Sequence, residues 1–111
     1  MPLTPNAHSA IIEPEKLSGY LMSETHPQGA PKWRFLQLFG FTADDPGILR
    51  EALLNHVAAN EASVSVTEYG LKYEVDGPLQ TPSRRTPDVR TVWQIDRGQT
   101  APHFVTLRPR R

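Results

Sequence analysis

One short segment holds the histidine and the lysine of this sequence that are best suited to chemistry. His26 begins a turn-forming run, residues 26–29, and Lys32 follows Pro31. An exposed, movable histidine suits a general base, because imidazole exchanges protons near neutral pH. The simpler alternative is that His26 caps the helix that follows the turn.

Lys32 lies in the first turn of that predicted helix, where a positive charge opposes the helix dipole. A phosphate bound at the helix N-terminus would satisfy both the lysine and the free backbone N–H groups. The alternative is that the aliphatic stem of Lys32 covers Trp33. The segment therefore predicts either an anion site or an ordinary helix start.

The charges of the chain are divided unequally along its length, although they sum to zero. Residues 1–83 hold five basic and ten acidic residues, whereas residues 84–111 hold seven arginines and two aspartates. Arginine can hold a phosphate through two parallel hydrogen bonds, so the asymmetry favours an anionic partner such as RNA. We expect Arg84, Arg85 and Arg108 to contact nucleic acid.

Arg90 and Arg108 lie on predicted strands that would be neighbours in a meander. A cationic stripe across a sheet suits a nucleic-acid backbone. The alternative is an ordinary arginine-rich surface, paired across strands with the acidic residues Glu74, Asp88 and Asp96.

The last predicted strand carries His103 and Thr106, which differ by three positions and so point to opposite faces of a regular strand. Thr106 and Arg108 share a face. No spacing is typical of a metal site, a Ser-His-Asp triad or a phosphate-binding loop, and there is no cysteine. We therefore expect neither metal nor cofactor. His56 falls in the apolar stripe of a predicted helix, and we interpret it as structural.

The remaining pattern predicts helices first and strands afterwards. An extended lead-in covers residues 1–12, and helices start near Pro14, near Pro31 and at Thr42 or Asp44. After residue 62 the apolar period changes from 3.6 to 2, which is typical of strands. Four strands are predicted, around residues 63–67, 71–75, 89–95 and 103–107.

These elements predict a single α+β domain over residues 1–111. Three N-terminal helices within residues 13–60 would pack on a four-stranded antiparallel meander within residues 62–109. A content of 38% hydrophobic and 22% charged residues is ordinary for a globular protein. No apolar run suits a membrane span and the first residues do not form a signal peptide, so we expect a cytoplasmic protein without membrane contact.

Several sequence blocks stand in a fixed order along residues 13–109. They are Lys16-Leu17-x-Gly-Tyr20-Leu21, His26-Pro27-x-Gly29-x-x-Lys32, Phe35, Gly40-Phe41, Pro82-Ser83-x-Arg85, Val89-Arg90-Thr91-Val92-Trp93 and Pro102-x-x-Val105-Thr106. In these blocks the chain resembles a widespread family of small bacterial domains with no assigned activity. The order of helices before a meander also resembles the ribonuclease fold shared by barnase, colicin-type tRNA nucleases and RelE-type toxins.

The resemblance implies a metal-independent endoribonuclease of the toxin type, in which a ribose 2′-hydroxyl attacks its neighbouring phosphate. His26 would take the proton, Lys32 and Arg90 would stabilise the phosphoryl oxygens, and Thr106 would complete the site. His103 stands where the family pattern suggests an arginine, so its role is open. The alternatives are a non-catalytic module that binds a small cognate antitoxin or immunity-like protein, and a globular accessory domain.

Overall fold

The computed structural model, which describes residues 2–110, is an α+β domain with a four-stranded antiparallel sheet. Its strands are β1 (Ala62–Thr67), β2 (Gly70–Pro78), β3 (Asp88–Asp96) and β4 (His103–Pro109). They lie in the order β1-β2-β3-β4, each beside its neighbour in sequence. The predicted α+β class and antiparallel meander are therefore confirmed.

The helical elements all precede the sheet strands. They are a 3₁₀ turn (Ala7–Ser9), α1 (Pro14–Lys16), a π-helical turn that continues it (Leu17–Leu21), α2 (Gly29–Leu38) and α3 (Pro46–Ala59). Leu3 and Ile11 form isolated β-bridges with Glu61 and His103. Extended residues thus alternate with helices in the first half, and the expected order of three helices before all strands is met only in outline.

Local sequence signals set the ends of the two longer helices. Pro46 stands at the first position of α3, where its missing N–H leaves no bond unmade. Gly40 ends α2 with φ 95°, a conformation that favours glycine. Phe41 then folds back, and its N–H donates to Leu36 O. Its side chain is buried, which is typical of a hydrophobic residue that follows a glycine stop.

The helices cover one face of the sheet, and the core lies between the helices and that face. Trp93 is fully buried there, paired across strands with Tyr73 and in edge-to-face contact with Phe104. Side chains of Leu21, Leu36, Leu49, Leu53 and Val57 meet this face and are fully buried. The described residues include no helix that is both long and apolar enough to cross a membrane.

The first half of the chain covers the β4 edge of the sheet. Ile11 donates its N–H to Pro102 O and accepts a hydrogen bond from the N–H of Phe104. Further along the strand, Lys16 Nζ donates to Val105 O at 3.0 Å and Lys32 Nζ donates to Leu107 O at 2.7 Å. Lysines at an edge strand discourage pairing with another chain, and here they also position α1 and α2 beside β4.

Candidate functional site

A cleft of about 760 Å³ lies between α1 with its π-helical turn, the start of α2, and β4. It gathers titratable and hydrogen-bonding groups from segments far apart in the sequence. Its lining residues are Glu13, Glu15, Lys16, Gly19, Tyr20, His26, Gln28, Lys32, Val105, Thr106 and Arg108. The cleft thus contains three of the expected catalytic residues, His26, Lys32 and Thr106, and one expected nucleic-acid contact, Arg108.

His26 caps the start of α2 with its ring. Its Nδ1 accepts hydrogen bonds from the backbone N–H groups of Gln28 at 3.1 Å and Gly29 at 3.0 Å. Because Nδ1 is the acceptor, a neutral ring carries its proton on Nε2. In this conformation His26 therefore offers Nε2–H as a hydrogen-bond donor, which differs from the role of proton acceptor expected for it.

Tyr20 holds the His26 ring in place. The two rings meet edge to face, with centroids 4.9 Å apart. The hydroxyl of Tyr20 lies 2.7 Å from Thr106 Oγ1, and Thr106 is only 8% exposed. The side chain of Tyr20 therefore connects His26, at the start of α2, to Thr106 on β4.

Two ammonium groups lie beside the Tyr20 ring. Lys16 Nζ is 5.2 Å and Lys32 Nζ 5.9 Å from the ring centroid, within the range of cation–π attraction. Each ammonium donates one bond to a β4 carbonyl, and each has two further N–H donors. The unfavourable place of Lys32 in the first turn of α2 is thus offset by its bond to the strand.

Arg90 lies outside this group of residues. Its guanidinium donates to both carboxylate oxygens of Asp76, at 2.7 and 2.9 Å, and approaches Glu74 at 3.4 Å. The hydrogen bond from Arg90 lowers the pKa of Asp76, and the same bond raises the pKa of Arg90. Arg90 does not line the cleft. Arg90 is held in a cross-strand ion pair instead, because β2 places two carboxylates beside it.

Arg84 and Arg85 also lie away from the cleft. Their loop is attached to the far end of α2, where the N–H of Ser83 donates to Phe39 O. A ten-residue helix spans about 15 Å, so α2 separates the two arginines from the His26 end. Both are exposed. The expected nucleic-acid contacts therefore divide into Arg108 within the cleft and a separate pair at the other end of α2.

An irregularity in β4 changes which faces its side chains share. Val92 pairs with Thr106, but Trp93 pairs with Phe104, so Val105 is an extra residue on β4. His103 pairs with Gln94, and Gln94 and Val92 are two residues apart on one face of β3. His103 and Thr106 consequently share a face. The expectation that they point to opposite faces is wrong, because it assumed a regular strand.

Sequence reasoning did not assign site roles to Lys16, Glu13 or Glu15. The spacing of Lys16 and Tyr20, four residues apart, was the available signal for Lys16, because such residues share a helix face. Glu13 bonds to Nδ1 of His103 at 3.0 Å, a pairing across 90 residues that no local pattern indicates. Within residues 2–110, no three His, Cys, Asp or Glu residues are placed to hold a metal ion together.

Comparison with known proteins gives a family and a fold. The family model described as "Domain of unknown function (DUF6883)" matches residues 3–111. No curated protein matches the sequence. A chain in the structure of a contact-dependent growth inhibition toxin–immunity protein complex from Klebsiella pneumoniae 342 has a TM-score of 0.73 and 11% identity. The match covers 95% of this chain and 97% of that one, and it shows a shared fold.

Proposed function

We propose a function for this chain, which belongs to the DUF6883 family of domains of unknown function. The cleft binds RNA and cleaves its phosphodiester bonds by attack of a ribose 2′-hydroxyl on the neighbouring phosphate, with protein cations stabilising the charge. The observation that supports this is the presence in one open cleft of Lys16, Lys32, Arg108 and the donor edge of His26. The fold likeness to a chain of a toxin–immunity complex favours a toxin-type setting for this activity.

The positively charged groups of the cleft suit the negative charge that develops in this reaction. Attack on a phosphodiester adds negative charge to the phosphoryl oxygens, and fixed donors aimed at them stabilise the transition state. Lys32 and Lys16 each have N–H groups beyond those bonded to β4. His26, whose ring contacts Tyr20 edge to face, adds a third donor. These three groups form the proposed phosphate site.

The proposal assigns different work to the other cleft residues. Arg108, exposed at the end of β4, holds a flanking phosphate of the RNA. Thr106 and Tyr20 hold each other and fix the distance between the helix cap and the strand. Arg90 takes no part, because Asp76 and Glu74 already neutralise it.

The decisive experiment is incubation of the purified protein with tRNA and with total RNA in the presence of EDTA. We expect fragments that end in 2′,3′-cyclic phosphate. Lys32→Ala should lower the rate about 10²–10³-fold, the usual cost of one positioned transition-state donor. Lys72→Ala is the matched control, since Lys72 lies on β2 and does not line the cleft. RNA that stays intact with the wild-type protein refutes the activity.

A second candidate, binding of a cognate antitoxin or immunity-like protein, is favoured by the β1 edge. Residues 63–67 of this edge strand are uncharged, and Val64 and Val66 are 54% and 81% exposed. Edge strands are usually protected by charge or cover, as β4 is here. The fitting partner is an extended strand that adds to β1 with apolar side chains over the two valines.

This candidate is tested by selecting displayed peptides against the protein, with Val66→Lys as the counter-target. Strand addition predicts extended, alternately apolar peptides that bind the wild-type protein and lose binding to the variant. Peptides that bind both proteins equally would contradict a site at the β1 edge.

A further inference from the structure

We infer that His103, oriented by Glu13, is the general base that takes the proton from the ribose 2′-hydroxyl. This inference rests on the proposed ribonuclease function and supplies the group that function still requires. His26 cannot fill the role in its observed conformation, because its Nδ1 accepts two backbone N–H bonds and its Nε2 carries the proton.

The hydrogen bond to Glu13 gives His103 the tautomer opposite to that of His26. Glu13 Oε1 lies 3.0 Å from His103 Nδ1, and a carboxylate can only accept from that nitrogen. Nδ1 therefore carries the proton of the neutral ring, and Nε2 has a free lone pair. A histidine held from behind by a carboxylate is oriented as a base, and the carboxylate stabilises the imidazolium that forms.

The bulge in β4 turns His103 to the sheet face that carries the cleft residue Thr106. Through the extra residue Val105, His103 shares a sheet face with Thr106, which lines the cleft. Glu13 lines the cleft itself, and its side chain is half exposed, while that of His103 is 35% exposed. The pair is therefore open to a substrate. Bulges commonly re-aim side chains next to active sites.

The cleavage step needs only His103, the RNA and water. Nε2 of His103 takes the 2′-hydroxyl proton while O2′ forms a bond to phosphorus. The bond from phosphorus to O5′ breaks, and O5′ takes a proton from water. The products are a 2′,3′-cyclic phosphate and a 5′-hydroxyl, and the imidazolium returns its proton to solvent. Besides Glu13, the charged groups that line the cleft are Glu15, Lys16, Lys32 and Arg108.

The test is the pH dependence of kcat/KM on an oligonucleotide that contains a single ribonucleotide. Wild-type activity should fall toward acid pH, as a base requires. His103→Ala should lose about 10²–10⁴-fold and lose that acidic limb, and added imidazole should restore part of the rate. Glu13→Gln should lose less activity than His103→Ala. His8→Ala, in the exposed 3₁₀ turn, is the matched control.

Folding of each variant is checked by its thermal transition, and His103→Gln replaces the alanine variant if that one is unstable. Cleavage by the wild-type protein together with a loss below threefold in a folded His103 variant would overturn this inference and leave the ribonuclease function standing. RNA left intact by the wild-type protein would overturn both.

Discussion

The Tyr20 hydroxyl lies 2.7 Å from Thr106 Oγ1, joining the π-helical turn to β4 across 86 residues of sequence. Thr106 is nearly buried and Tyr20 is partly so. Both residues line the cleft, and their hydroxyl groups form a hydrogen bond with each other. This hydrogen bond therefore joins the helical side of the cleft to β4, and we expect both the stability of the domain and the spacing of the proposed site to depend on it.

Removing either hydroxyl should destabilise the protein. We expect Tyr20→Phe and Thr106→Val each to lower the free energy of unfolding by about 0.5–1.5 kcal/mol, the net value of a typical hydrogen bond. Because each single change removes the same bond, the double variant should lose less than the sum of the two. Urea unfolding measures all three, and Tyr69→Phe on the exposed Tyr69 is the control. Additive losses would contradict a shared bond.

Gly29 is the second position on which the cleft depends. A Cβ at this residue would overlap the backbone carbonyl of Tyr20, which cannot move without shifting the π-helical turn. We expect Gly29→Ala to lower the free energy of unfolding by about 1–3 kcal/mol, the cost of overpacking. Gly19→Ala, where a Cβ meets nothing within 4 Å, is the matched control and should not destabilise. Equal transition midpoints for the two variants would refute the steric account.

The fold was largely predictable because its signals are local. The apolar repeat of α3, the stop at Gly40 and the alternation along β2 each depend on neighbouring residues, and each is present in the structure. The burial of His56 was also predictable, since it follows from its place in the apolar stripe of α3.

The site was predictable only in part, because its geometry depends on long-range pairing. His26 and Lys32 were identified from one local segment, and both line the cleft. The extra residue in β4 is set by pairing with β3, so no local pattern could show that His103 and Thr106 share a face. Likewise, Arg90 is held by carboxylates that only the β2–β3 register brings beside it.

The ion pair of Arg90 should contribute to stability and leave RNA cleavage unchanged. Arg90→Ala should lower the free energy of unfolding by about 0.2–1 kcal/mol, because the pair is partly exposed and screened by water. The lowered pKa of Asp76 means that its contribution is present above pH 3.8 and is lost as the pH falls through its folded-state value. The difference between wild type and variant should therefore shrink in acid.

Urea unfolding at pH 7 and in acid measures this difference, and Arg97→Ala in the exposed turn after β3 is the control. RNA cleavage is followed in the same samples. A loss of cleavage beyond tenfold in a stably folded Arg90→Ala protein would place Arg90 in the catalytic machinery after all, in conflict with its position outside the cleft.

His56 should make the protein less stable as the pH falls below neutrality. It is buried beneath β3, with Nδ1 2.9 Å from Thr91 Oγ1 and Nε2 3.0 Å from Gly77 O. Burial lowers its pKa below the usual 6.5, and the weaker opposing effects of Gly77 O and nearby aspartates do not reverse this. Below pH 6.5 the unfolded chain therefore binds a proton that the folded protein does not, and stability decreases until the folded-state pKa is reached.

The slope from this one group is at most about 1.4 kcal/mol per pH unit. We expect His56→Gln, whose amide does not titrate, to be less stable at pH 7.5 but to show a smaller decrease between pH 6.5 and 5. His8→Gln, the same change at an exposed histidine, is the control. Urea unfolding at several pH values measures the slopes. An unchanged slope in His56→Gln would show that other groups cause the acid sensitivity.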